Sequence, residues 1–140
     1  MSKTYIPADL RRFVQDRAKG ACEYCLIPER VTLVPHQVDH VIAEKHGGQT
    51  HEANLALACV LYNKYKGSDL ASMDTVSGEI VRLYQPRGDR WSEHFQLADG
   101  EMVPTMAIGR VTIKLLQMNR PDRILERRLC LVAGILSVPD

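Results

Sequence analysis

The chain has no surplus of charge. Its 18 Lys and Arg residues face 17 Asp and Glu residues, leaving a net charge of +1 over 140 residues. Binding to a polyanion by bulk charge is therefore excluded, and such a partner would need a localised basic face. The sequence also lacks any apolar run approaching the ~18 residues of a membrane span. Its opening stretch, MSKTYIPADLRRF, has no apolar segment of the secretory-leader kind. A cytoplasmic, reducing compartment is the expectation, and disulfides among the four cysteines are not. No repeat and no long linker divides the sequence, so residues 1–140 are expected to form one domain. With 45% hydrophobic residues, that domain can bury a core.

Local patterns predict the elements. Pro7 to Lys19 reads as a helix with Leu10, Phe13, Val14 and Ala18 on one face and Gly20 as its stop. Gln37–Ala43 reads as a strand, rich in β-branched residues. Residues 44–53 contain Gly47-Gly48 and read as a loop. Asn54–Ala58 is a short apolar strand, and Val60–Lys66 is two helical turns closed by Gly67. Further on, Ile80–Tyr84 is a strand, Trp91–Phe95 a helical turn, and Ala98-Asp99-Gly100-Glu101 the turn of a hairpin. Two helices follow, from Gly109 to about Met118 and from about Asp122 to Leu136. In the second, Leu125, Leu129, Val132 and Leu136 form a stripe that would pack on the first helix or form a dimer seam.

The chemistry-bearing stretch reads VDHVIAEKHGGQTHEANLALACVLYNKYKG. His40 precedes Asn54 by fourteen positions, and Asn54 precedes Asn63 by nine. With Cys22-Glu23-Tyr24-Cys25 upstream, this pattern resembles the HNH endonuclease family and its ββα-metal finger. The motif covers about thirty residues, or about forty-five with the cysteine pair. The resemblance implies an α+β fold: a catalytic finger over about 36–67 with an N-terminal helix before it, then a C-terminal extension over about 68–140 holding a small antiparallel sheet and two helices over one core.

Phosphodiester hydrolysis needs an activated water and relief of charge on phosphate oxygens. Neutral imidazole suits the first task, and a hard divalent cation the second. The resemblance implies His40 as general base, Asp39 and Asn63 as metal ligands, and Asn54 as the residue that steadies the loop and the base. An all-oxygen pair favours Mg²⁺ or Mn²⁺. The implied substrate is DNA.

Relatives in this family bracket the finger with a second C-x-x-C pair. Here that position reads Cys59-Val60-Leu61-Tyr62-Asn63, and a phenol is a poor zinc ligand beside three thiolates. The expectation is a vestigial knuckle of Cys22, Cys25 and Cys59 that has lost structural Zn²⁺, with Tyr62 filling the volume. A Cys₃His set completed by His36, or a weak zinc site with water, are the other outcomes.

Lys45, Lys64 and Lys66 lie in or beside the finger and are candidates for contacts to nucleic-acid phosphates. The basic run Arg110, Lys114, Arg120, Arg123, Arg127 and Arg128 is either a second such patch or ordinary helix surface. The segment from Leu83 to Trp91 resembles the C-terminal extension of one HNH subgroup, and leaves Arg87 and Arg110 as partners of Asp89 or of phosphate. Besides a nuclease, the sequence accommodates a non-catalytic nucleic-acid-binding module and a thiol protein using Cys22 and Cys25. The last lacks a βαβ context around the pair.

Overall fold

A computed structural model describes residues 5–139. It is α+β, with five helices and three separate two-stranded antiparallel ribbons among the described residues. One ribbon belongs to the finger, and the single small sheet expected in the extension is two ribbons. No helix among the described residues is long and apolar enough to cross a membrane.

The first helix, α1 (Ala8–Arg17), starts at Pro7 and ends where Lys19 and Gly20 take positive φ. Its Val14 packs with Ile6, Leu55 and Leu57, and Leu10, Ala18 and Val38 close this cluster. The chain then forms the cysteine turn and enters β1 (Gln37–His40), which pairs with β2 (Leu55–Ala58). Alternation along β1 sends Val38 and His40 towards one face and Gln37 and Asp39 towards the other. Val38 and its register partner Leu57 lie in the α1 cluster, so the Gln37–Asp39 face is left for the next helix. The residues opposite Gln37 and Asp39 are Ala58 and Ala56, small enough to let that helix approach. It is α2 (Val60–Lys66), which follows Cys59 directly.

The extension begins with the ribbon β3 (Ala71–Met73) and β4 (Ile80–Arg82). A single helical turn, α3 (Trp91–His94), leads into the hairpin β5 (Phe95–Ala98) and β6 (Glu101–Pro104). The hairpin turn is Asp99-Gly100, both with positive φ, as the sequence pattern predicts for a two-residue turn. Two helices close the chain, α4 (Ala107–Leu115) and α5 (Pro121–Val132).

A second apolar cluster joins finger and extension. It contains Cys22, Tyr24, Cys25, Ile27, Cys59 and Tyr62 together with Tyr84, Trp91, Phe95, Met102, Leu116 and Leu136. The core is therefore two clusters rather than one. Each large apolar side chain buried this way contributes about 1.5–3 kcal/mol. Polar bonds fix the same junction. Trp91 Nε1 donates to the Tyr24 carbonyl at 3.0 Å, and Arg87 pairs with Glu23. Arg87 therefore does not serve Asp89, whose partner is Arg82 at 2.7 Å. Arg110 pairs with Asp74 through Nε and Nη2, at 3.0 and 2.9 Å.

Of the stripe Leu125, Leu129, Val132 and Leu136, only Leu136 is buried, in the second cluster, and the expected packing on the first helix is corrected. Leu125, Leu129 and Val132 are 51%, 59% and 83% exposed, and they do not pack on α1. The buried face carries Arg123, Arg127 and Cys130. Arg127 is fully buried because each guanidinium nitrogen finds an acceptor: Nε gives to Gly100 O at 2.7 Å, Nη1 to the Tyr62 hydroxyl at 3.3 Å, and Nη2 to Met118 O at 2.6 Å and Asn119 Oδ1 at 3.2 Å. Arg123 and Arg127 accordingly leave the basic surface that the sequence suggested.

Candidate metal and catalytic site

Asp39 on β1 and Asn63 on α2 both face the β1–α2 interface. The helix presents Asn63 and Lys66, three residues apart, to the strand. Asn63 Nδ2 donates to Gln37 Oε1 at 2.5 Å. Lys66 Nζ donates to Val41 O at 3.0 Å and lies 3.5 Å from Asp39 Oδ2. Asp39 Oδ2 is buried and has no hydrogen-bond partner. Burial pushes the Asp39 carboxyl up from its ordinary value, and the Lys66 ammonium opposes that rise. A buried carboxylate oxygen with no hydrogen-bond partner suits a hard, oxygen-seeking cation. Asp39 and Asn63 would hold it.

Lys66 is 3% exposed, which corrects its reading as a surface phosphate contact. Its ammonium is committed to a carbonyl and a carboxylate inside the finger. Lys45 and Lys64 are exposed, on the loop and on α2.

His40 is the last residue of β1 and is 3% exposed. Its Nε2 lies 2.8 Å from Thr50 Oγ1. The loop that supplies Thr50 is tightly built. Asn54 Oδ1 accepts from Ile42 N, and Asn54 Nδ2 donates to Ile42 O and Gln49 O, each at 2.9 Å. Gly47 turns the chain with φ +94°. Gly48 lies so close to the strand end that a Cβ there would sit 1.7 Å from Ile42 O and 2.8 Å from Asn54 Nδ2. The sequence expectation placed Asn54 in a steadying role, and its contacts in the structure are with backbone. His46 Nε2 spans from the loop to Ser68 O at 3.1 Å, and His51 Nδ1 accepts from Ala53 N at 3.0 Å. Arg17 fastens α1 to the same region through Glu52 O and Leu55 O.

The sulfur atoms of Cys22, Cys25 and Cys59 lie within 4.8 Å of one another, close enough to hold a metal ion. All three are buried. Burial opposes ionisation of Cys22, but hydrogen bonds from Cys25 and Cys59 hold its thiol well below the ordinary value. Burial pushes Cys25 up, and the bond to Cys22 pushes Cys59 up to about 12. Arg123 Nη2 donates to Cys59 Sγ at 3.0 Å. The same guanidinium lies 5.0 Å from the centre of the Tyr62 ring, while the Tyr62 hydroxyl accepts from Arg127 Nη1 at 3.3 Å. His36 stands outside the group and bonds Ile27 O at 2.8 Å through Nε2.

Two residues in this region were not singled out as functional from sequence. Glu23 accepts from Leu57 N through Oε2 at 2.8 Å, and its own N–H donates to Leu57 O at 2.8 Å. It thereby pins the cysteine turn to β2. Thr50 meets His40, and only the run Gly-Gly-x-Thr hinted that a short side chain was being delivered there. A cleft of about 1030 Å³ lies elsewhere, between the end of α1, the cysteine turn and the C-terminal tail. Asp39, His40 and Asn63 do not line it.

No curated protein and no solved structure matches this chain. A family model described as HNH endonuclease matches residues 22–69. That span opens at the first cysteine of the three-thiol group, takes in β1, the Gly-Gly loop and β2, and closes just past α2. Over residues 22–69, about a third of its length, the chain is thus similar to the HNH endonuclease family.

Proposed function

We propose that this protein is a metal-dependent endonuclease that hydrolyses phosphodiester bonds in DNA. The observation that supports it best is the buried Asp39 Oδ2, without a hydrogen-bond partner and faced only by the Lys66 ammonium at 3.5 Å, on the strand face that Asn63 approaches, one residue from His40. His40 removes a proton from the attacking water as the new P–O bond forms and the leaving oxygen departs. Asp39 and Asn63 hold Mg²⁺ or Mn²⁺, which would supply charge stabilisation at the phosphate oxygens. Asn54 steadies the loop around the base. Lys45 and Lys64 contact the phosphate backbone. Residues 1–140 act as one domain, because the extension and the finger share a buried cluster.

The test is nicking of supercoiled plasmid in Mg²⁺ or Mn²⁺. Wild-type protein should convert it to open circles, and His40→Ala should not, with an unchanged circular-dichroism spectrum. An inactive wild type, or equal activity in His40→Ala, overturns the proposal. One observation favours a second reading, a non-catalytic nucleic-acid-binding module: the Lys66 ammonium already faces Asp39. That reading expects salt-dependent DNA binding without turnover in either metal.

A further inference from the structure

We propose that Thr50 is a positioning residue that fixes the protonation pattern of His40. The proposal rests on the reading of His40 as general base. A neutral imidazole carries one proton on one of two nitrogens, and its partner at the other nitrogen sets which. Here the partner of Nε2 is a hydroxyl at 2.8 Å. A hydroxyl can donate or accept, so the direction of this bond decides whether Nδ1 is a base. When Thr50 Oγ1 accepts from Nε2–H, the Nδ1 lone pair is free to take a proton from water. In the reverse direction the proton sits on Nδ1 and the ring can take none from a water there. Once His40 has taken its proton, both ring nitrogens carry hydrogen. The Nε2–H to Oγ1 bond then becomes charge-assisted and stronger, so the contact stabilises the step and not only the resting state.

The surroundings suit that task. Thr50 stands between Gln49, whose carbonyl accepts from Asn54, and His51, whose ring caps the next turn. Gly47 and Gly48 give the chain the tight path that brings it there. Threonine is β-branched and stiff about χ1, so its hydroxyl is aimed at lower entropic cost than a serine's. Asn54 thus acts on His40 at one remove, through the loop that carries Thr50.

The test uses the full chain, ¹⁵N-labelled, with Thr50→Val and Thr50→Ser. Valine keeps the shape and loses the hydroxyl. Imidazole ¹⁵N shifts, assigned by their loss in His40→Ala, should show His40 in the Nε2–H form in the wild type and as mixed tautomers in Thr50→Val. In nicking assays, Thr50→Val should lower kcat by roughly ten- to a hundredfold at unchanged KM, as expected of a misaligned base. Thr50→Ser should recover most of it. If Thr50→Val misfolds, Thr50→Ala takes its place. A wild-type His40 in the Nδ1–H form overturns the proposal, as does an unshifted tautomer ratio in the variant. Wild-type kcat in Thr50→Val overturns it equally. Should the wild type cut no DNA, the reading of His40 as a base has failed, and the tautomer measurement alone decides whether Thr50 sets the ring.

Discussion

The side chain of Asn54 clasps both polar atoms of the Ile42 backbone, taking its N–H on Oδ1 and giving Nδ2 to its carbonyl, each at 2.9 Å. An amide meets an amide as in a β-ladder, twelve residues apart in sequence. The third bond, to Gln49 O, extends the clasp to the far side of the loop.

Replacing Asn54 therefore has a chemical order. Asn54→Ala loses three bonds at a half-buried site and should cost about 1–3 kcal/mol. Asn54→Asp keeps the acceptor for Ile42 N but turns a carboxylate towards two carbonyl oxygens. It should be no more stable than the alanine variant in urea melts, despite its closer shape. A stability equal to wild type would contradict this account of the loop.

Gly48 offers a contrast with Gly88. A Cβ at Gly48 collides with backbone at Ile42 O, whereas one at Gly88 finds Gln85 side-chain atoms at 3.9 Å, an ordinary contact. Gly48→Ala should cost roughly 1–3 kcal/mol as the loop is forced outward. Gly88→Ala should stay within about 0.5 kcal/mol of wild type. Equal stabilities of the two variants would show that the loop yields freely.

Acid should expose the Asp74–Arg110 pair. The hydrogen bonds from Arg110, with support from Ser77 and Val76 N–H, hold the Asp74 carboxyl well below the usual carboxylate range. A depressed carboxyl favours the fold above its unfolded value, about pH 4, and that contribution fades as pH falls from there through the folded value. The urea midpoint of the wild type should thus drop between pH 5 and pH 2 more steeply than that of Asp74→Asn. Parallel curves would assign the acid loss to other carboxyls.

Purified protein is expected to carry well under one zinc per chain. Tyr62 stands where a fourth thiolate would be needed, and the Arg123 guanidinium brings a positive charge to Cys59 without a metal. Chelator should then leave the melting temperature within about 2 °C, since loss of a structural zinc removes a large share of folding free energy. Stoichiometric zinc by metal analysis, with a chelator-sensitive melt, would refute this.

The elements most legible in the sequence were those with local punctuation. Pro7 and Gly20 bracketed α1, Cys59 and Gly67 bracketed α2, and Asp99-Gly100 marked its hairpin. The strand Ala71–Met73 is only three residues long, too short for its alternation to stand out. The expected packing of the α5 stripe on α1 failed because hydropathy ranks leucine above arginine. Burial followed hydrogen-bond partners instead, and Arg127 had acceptors waiting at Gly100, Met118 and Asn119. Lys66 misled in the same way, since its partners lie on a strand more than twenty residues upstream. In the candidate site, the spacing marked Asp39, His40, Asn54 and Asn63. It left Thr50 unmarked, because only the folded loop decides which short side chain meets the imidazole.

The indole of Trp91 reaching the Tyr24 carbonyl, with Arg87 on Glu23 beside it, sets a limit on transplantation. A polypeptide ending after Gly67 would show water the ring of Tyr24, the apolar flank of the thiol group and a Glu23 Oε1 without its Arg87. Grafted into another host, the stretch from Cys22 to Gly67 would need a substitute floor of matching shape before its loop could hold an imidazole still.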